Sequence, residues 1–190
     1  MHRLLILGLS SLLLANVGPP VGSLAGTTGV GSRLLADAVV WLDVPSPPPR
    51  PERATSRLDQ RDISFVPHVL AVQVGTQVDF PNNDRVFHNV FSFHDGKPFD
   101  LGMYPVGAVK KIPFDKPGLS RIFCNIHPQM SAYVMVVDTP YFAVSDAAGT
   151  FTIRDVVPGS YPYHAWRAGI EPLSGTVVVG AGASLDVRWP

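Results

Sequence analysis

From Ile63 to the end of the chain, short runs rich in apolar residues, several of them alternating apolar and polar with a period of two, are broken by Gly, Pro, Asn and Asp. Such alternation marks strands with one face in a core. Thr150-Phe-Thr-Ile-Arg154 is the clearest case, with Phe151 and Ile153 on one face. The pattern predicts one or two strands over Ile63–Val74, then Gln77–Phe80, Phe87–Phe93, Val109–Phe114, Leu119–Cys124 and Ala132–Val137. Gly75-Thr76, Asn82–Asp84, His94–Pro98 and Lys116–Gly118 supply the turns. Ahead of this region, Gly26–Val44 reads as a β-hairpin whose second strand, Ala36–Val44, is rich in Val. Behind it, Ser145–Gly149 and Val157–Tyr161 are turns, and Pro162–Arg167 is a further extended run. Gly175–Val179 and Leu185–Trp189, joined by Gly180–Ala183, read as a terminal hairpin. Strand and turn recur every ~8–12 residues, as in a β-sandwich.

Composition changes this picture only in part. The 190 residues suffice for one large or two small domains, and 19 Pro and 17 Gly are spaced like turn punctuation, which argues for an all-β chain. Formal net charge is zero, so nothing suggests nucleic acid. Pro45-Ser-Pro-Pro-Pro-Arg-Pro51 cannot be a central strand and predicts an extended connector, continued by the polar stretch to Arg61. Residues 1–14 have a short basic start and an apolar run too short for a confident membrane span. Small residues at Ser23 and Ala25 suit cleavage before Gly26, so residues 1–25 are expected to be a signal peptide and the mature chain periplasmic. A single cysteine excludes an internal disulfide, and an exported free thiol needs a reason.

Arg121-Ile-Phe-Cys-Asn-Ile-His-Pro-Gln-Met130 supplies one. A thiol, an imidazole and a thioether stand three residues apart at Cys124, His127 and Met130, on a short loop between two predicted strands. Soft sulfur donors with imidazole select copper over hard cations. The set is one histidine short of a His₂Cys site with a weak axial Met, and His88 on the Phe87–Phe93 strand is the candidate. A structural zinc site is the runner-up, though a thioether is a poor fourth ligand for zinc. No His-x-His pair is present for a multicopper centre, and nothing resembles a Ser-His-Asp set, a P-loop or a dinucleotide fingerprint. His68, His94 and His164 have no second ligand at useful spacing and read as structural or solvent-exposed.

Cys124-Asn-Ile-His127-Pro-Gln-Met130 resembles the ligand loop of the cupredoxins, with the short spacing of amicyanin rather than that of plastocyanin. Phe80-Pro-Asn-Asn-Asp84 followed by His88-Asn89-Val90 resembles the first-histidine segment of the same family. The likeness spans roughly Phe65–Asp138 and extends to plastocyanin-like periplasmic proteins of methylamine utilisation. It implies a Greek-key β-sandwich holding one type 1 copper ion on His88, Cys124, His127 and Met130. It also implies that Asn89 bonds to a Ser or Thr after the cysteine, where this chain has Asn125. Phe123 should point away from the copper, because successive strand residues alternate faces, and offers a lateral electron path. Its other reading is a core residue of the opposite face.

Asp146, Gly149 and Phe151 with Pro158-Gly-Ser-Tyr161 resemble the carboxypeptidase regulatory-like domain, a transthyretin-type sandwich. That family begins with a glycine-led strand and a segment like Leu35–Val40, which here precedes the copper module. The expected layout is therefore a discontinuous sandwich (26–44 and 139–190) with a connector (45–61) and a cupredoxin domain (62–138) inserted. The alternative is that 26–44 adds a strand to the cupredoxin sheet. The implied function is single-electron transfer, as a monomer, between redox proteins such as a c-type cytochrome or a periplasmic dehydrogenase. Four ligands leave no open position for substrate, so an enzyme is not expected. The second hypothesis is a copper carrier, or a carbohydrate- or protein-binding sandwich, because fold does not fix function.

Overall fold

The computed structural model describes residues 21–48, 54–93 and 96–190, which run through eighteen strands and no helix. Three strands open the chain: β1 (Gly22–Val30), β2 (Arg33–Leu34) and β3 (Val39–Leu42). Ten follow: β4 (Thr55–Arg57), β5 (Asp59–Arg61), β6 (Ser64–Val66), β7 (Val69–Gln73), β8 (Thr76–Pro81), β9 (His88–Ser92), β10 (Phe99–Tyr104), β11 (Val109–Phe114), β12 (Gly118–Phe123) and β13 (Ser131–Val137). Five close it: β14 (Phe142–Val144), β15 (Thr150–Val156), β16 (Gly159–Arg167), β17 (Ile170–Val179) and β18 (Ala183–Trp189).

The pairing sorts these strands into two sandwiches. The middle strands form one sheet in the order β10-β9-β12-β13-β7 and another in the order β11-β8-β4, with β5 and β6 as a separate hairpin. Their inward residues, among them Phe80, Val90, Phe114, Ile122, Val134 and Val136, make one buried core that also contains Cys124 and Met130. The outer strands form the sheets β15-β1-β18 and β14-β3-β16-β17 around Leu24, Leu42, Phe151, Ile153, Val187 and Trp189. The chain thus leaves the second sandwich after β3 and returns to it at β14, which pairs with β3 through Phe142 and Trp41.

A third cluster joins the two. Met135 and Val137 of β13 and Val69 of β7 meet Val39 of β3 and Trp166 of β16, and the Tyr133 and Trp166 rings lie edge to face at 5.2 Å. This contact explains two sequence runs that do not alternate. In Ala132–Val137, Val134 and Val136 face the first core while Met135 and Val137 face the other sandwich. In β3, Val40 and Leu42 face the second core while Val39 and Trp41 face the first sandwich. A strand covered on both faces has no polar side to alternate with.

Several expectations need correction. Gly26–Val44 is not one hairpin, because β1 and β3 lie in different sheets and only the two-residue β2 folds back on β1. The terminal pair is not one either: β17 lies against β16, whereas β18 runs parallel to β1 from Leu24–Ala183 to Val30–Trp189. In both cases the strands on either side of the turn bury residues on different walls of the same core, so the chain crosses between sheets. The polar stretch before Arg61 is not connector throughout, since β4 pairs with β8 and β5 with β6. Strand β10 was not foreseen, because Asp100 and Gly102 interrupt its pattern at a sheet edge.

The apolar run of residues 1–14 lies outside the described residues, as does His94. The cleavage point before Gly26, however, falls inside β1. Leu24 is fully buried there and sits opposite Ile153 and Ala183. A chain starting at Gly26 would lose that side chain and leave a void. It is expected to be at least ~2 kcal/mol less stable in urea unfolding than one starting at Val21. Equal midpoints would show that the first half of β1 is dispensable.

Candidate metal centre

The β12–β13 connection carries three of the expected ligands and is tied by its own backbone. The Met130 N–H donates to the His127 carbonyl at 2.9 Å, and the Cys124 N–H donates to the Met130 carbonyl at 3.3 Å. Cys124 follows Ile122 and Phe123 at the end of β12, so alternation turns it inward with Ile122. His88 opens β9, the neighbour of β12 in the same sheet. Both Cys124 and His88 are buried, and Met130 is buried in the same core as Cys124. His127 is half-buried, so this ligand alone of the four reaches toward the surface.

His88 Nδ1 and His127 Nδ1 lie 3.1 Å apart, and Cys124 Sγ lies 3.9 Å from the first and 3.7 Å from the second. The circumcentre of a triangle with these sides is about 2.1 Å from each corner, against first-row metal bonds of about 2.0–2.1 Å to nitrogen and about 2.3 Å to sulfur. The donors therefore fit one small ion at their centre. Among the described residues, this is the group of His, Cys and acidic side chains that can do so. The fit in size does not separate copper from zinc. Two imidazoles, a cysteine sulfur and a thioether buried in the same core as that sulfur are a soft donor set of the kind that suits copper.

The residues behind the ligands fix their form. His88 Nε2 lies 2.9 Å from Asp84 Oδ2, so the ring proton sits on Nε2 and the Nδ1 lone pair is free to bind. Burial alone would raise the Asp84 pKa. The Ile63 and Arg85 backbone N–H groups and His88 outweigh it and hold the carboxyl below its usual range, so Asp84 stays ionised. Tyr104 stands opposite His88 on β10, and burial pushes its phenol well above the ordinary value. The phenol accepts from Gln60 Nε2 at 2.6 Å and donates to the Phe80 carbonyl at 3.0 Å. Asp84 was missed as a functional residue. The signal was present: a metal-bound histidine usually gives its second N–H to a carboxylate, and Asp84 lies four residues before His88.

The Asn89 bond takes a different form from the one the family likeness implied. Asn89 Oδ1 accepts the backbone N–H of Asn125 at 2.8 Å. The contact is to the main chain, so the change from Ser or Thr to Asn at this position leaves it intact. Phe123 is partly exposed on the outer face, where its ring lies 5.9 Å from both Phe91 and Phe93 and the Arg121 guanidinium lies 5.4 Å above it. His68 lies 3.4 Å from Asp37, and His164 stacks on Trp41 and reaches Asp43 at 2.8 Å. Neither joins the ligand group.

Fold and site together define an all-β protein with a candidate copper centre. A family model described as polysaccharide lyase family 4, domain II, matches residues 129–187, which is under half of the chain and excludes His88, Cys124 and His127. No curated protein sequence matches the chain. Among solved structures, a purple cupredoxin from Nitrosopumilus maritimus is 26% identical over 44% of this chain and 99% of its own, with a TM-score of 0.39. A copper-containing nitrite reductase from Thermus scotoductus is 28% identical over 51% of this chain and 25% of its own, with a TM-score of 0.41. A reduced amicyanin variant is 22% identical over 51% of this chain and 99% of its own, with a TM-score of 0.40. The reading of the site rests on its own donor atoms.

Because the Asn89 bond ends on the backbone, Asn125→Ser is expected to leave cupric-ion affinity unchanged. Asn89→Ala should lower it by about 10- to 100-fold, read by chelator competition. Equal losses in both variants would place the lock on the Asn125 side chain instead.

Proposed function

We propose that this chain is a mononuclear type 1 copper protein that passes single electrons between exported redox partners. The observation that carries the reading is the triangle of His88 Nδ1, His127 Nδ1 and Cys124 Sγ. Copper bound there supplies a one-electron couple. Cys124 would hold the ion as thiolate, His88 and His127 as neutral imidazoles, and Met130 would add a weak thioether donor that tunes the potential. The surrounding scaffold keeps these donors in place. Asp84 orients His88, Asn89 holds the ligand loop to β9, and the β12 and β13 ladder fixes both ends of that loop. Donors held alike in both oxidation states leave little to rearrange when an electron arrives.

The second sandwich is read as the host domain, of carboxypeptidase regulatory-like type, because β1–β3 pair with β14–β18 across the inserted copper module. The polysaccharide-lyase match to residues 129–187 favours the alternative that this part binds carbohydrate. The periplasmic location rests on the apolar start of the sequence and on a lone cysteine that ligation explains.

Purified protein given cupric ion is expected to show an intense thiolate-to-copper band near about 600 nm, absent in Cys124→Ser. A colourless protein that takes zinc would end the electron-transfer reading.

Docking is proposed at the ligand end, around half-buried His127 and exposed Pro128, while Met130 lies buried. Val86, Phe87, Val106 and Ile126 are exposed there, on the loops that flank His88 and His127, and two of these loops are stitched together through Asn82. Transient redox contacts are small, so one charge in such a patch matters. Pro128→Glu is expected to slow electron exchange with a redox partner while leaving the absorption band in place. An unchanged rate would move the docking face elsewhere.

A further inference from the structure

The tip of the β5–β6 hairpin is strained and sits next to the metal centre. Asp59, Gln60 and Arg61 pair with Val66, Phe65 and Ser64, which leaves Asp62 and Ile63 as a two-residue turn. Both have positive φ, 49° and 55°. Turns of this kind favour Asn-Gly or Asp-Gly, because each central residue must enter the left-handed region. Asp tolerates that region, but a β-branched residue in it is an outlier. Core packing does not explain the choice, because Ile63 is 37% exposed.

The backbone of Ile63 has a specific task. Its N–H donates to Asp84 Oδ2 at 2.7 Å, the same oxygen that accepts from His88 Nε2 at 2.9 Å. The other oxygen, Oδ1, accepts the Arg85 N–H at 2.7 Å. Three donors fix the rotation of the carboxylate, and the carboxylate fixes the His88 ring. A second clamp holds the hairpin to the same loop. Asn83 Nδ2 donates to both Asp59 oxygens at 2.9 and 3.0 Å, and the Asn83 N–H donates to the Gln60 carbonyl at 3.1 Å. Backbone strain collects where surrounding contacts over-determine a conformation, and it clusters at functional sites.

We infer that the β5–β6 hairpin is a positioning element of the metal centre: the Ile63 N–H, presented by a left-handed turn, sets Asp84 and through it the metal-binding form of His88. The hairpin carries no ligand itself. The inference rests on the copper reading for its purpose, but the hydrogen-bond chain belongs to the apoprotein.

The test compares the full chain with Ile63→Pro, which removes the N–H, with Asn83→Ala, which removes the side-chain half of the second clamp and keeps the backbone bond to Gln60, and with Ile63→Gly. Glycine keeps the N–H and enters the left-handed region without strain. In nitrogen-15 NMR of the apoprotein, the His88 Nε2 proton is expected to exchange slowly with solvent in the parent chain and in Ile63→Gly. It should exchange faster in Ile63→Pro and Asn83→Ala. With copper loaded, release to a chelator should speed up by about 10-fold or more in the same two variants only. Ile63→Gly should also unfold at higher denaturant than the parent. Slow exchange and unchanged release in a folded Ile63→Pro or in Asn83→Ala would overturn the inference, as would Ile63→Gly behaving like Ile63→Pro. If Ile63→Pro does not fold, Asn83→Ala decides. If the parent chain never turns blue, the apoprotein exchange data still decide on the hairpin, so the two ideas fail separately.

Discussion

Three electron-pair donors, two imidazole nitrogens and a sulfur, must be held 3.1 to 3.9 Å apart whether or not an ion lies between them. Without a cation, nothing between these atoms favours that spacing strongly, so the scaffold has to supply it. Much of the first sandwich is arranged to this end. His88 starts a central strand, Cys124 ends the next one, and the short loop that carries His127 is closed by the Met130 N–H and the Cys124 N–H. Burial of His88 and Cys124 makes their misplacement expensive, because a buried polar group without a partner loses its hydration.

The support extends outward in layers. Asp84 holds the far nitrogen of His88, and it is held in turn by the backbone N–H groups of Ile63 and Arg85. Asn89 spans from β9 to the ligand loop and also reaches Asp100 on β10 at 3.3 Å. Asn82 draws the first-histidine loop and the loop after β10 together, through Val86 and Tyr104. The arrangement is closely hydrogen-bonded where the candidate ligands attach, and of the four only His127 is part-exposed. This combination suits a centre whose ligands stay still while a partner touches one edge.

The two sandwiches share an apolar wall. Valines and aromatic rings from β3, β7, β13 and β16 close over one another, and Tyr133 of the first sandwich packs against Trp166 of the second. β13 therefore serves twice: one face belongs to the core that contains Cys124 and Met130, and the other belongs to the contact with the second sandwich. A change at that contact would be felt by the strand that carries the end of the ligand loop.

The sequence by itself determined the all-β class, most of the strands and the four candidate ligands, because these depend on local chemistry. Alternation marks a half-buried strand wherever it pairs, and Cys124, His127 and Met130 sit within seven residues on one loop. His88 was legible as the missing imidazole from its strand context and its likeness to a known segment. Tertiary structure alone decided which strands are neighbours. Nothing local in Gly26–Val44 tells β1 to pair with β15 and β18 while β3 pairs with β14 and β16. Nor does the sequence show that β5, in a stretch read as connector, brings Ile63 to Asp84 across twenty-one residues. The physical reason is the same in both cases. A ligand announces itself by the atoms it carries, whereas a sheet partner or a supporting hydrogen bond is chosen by the packing of distant apolar faces.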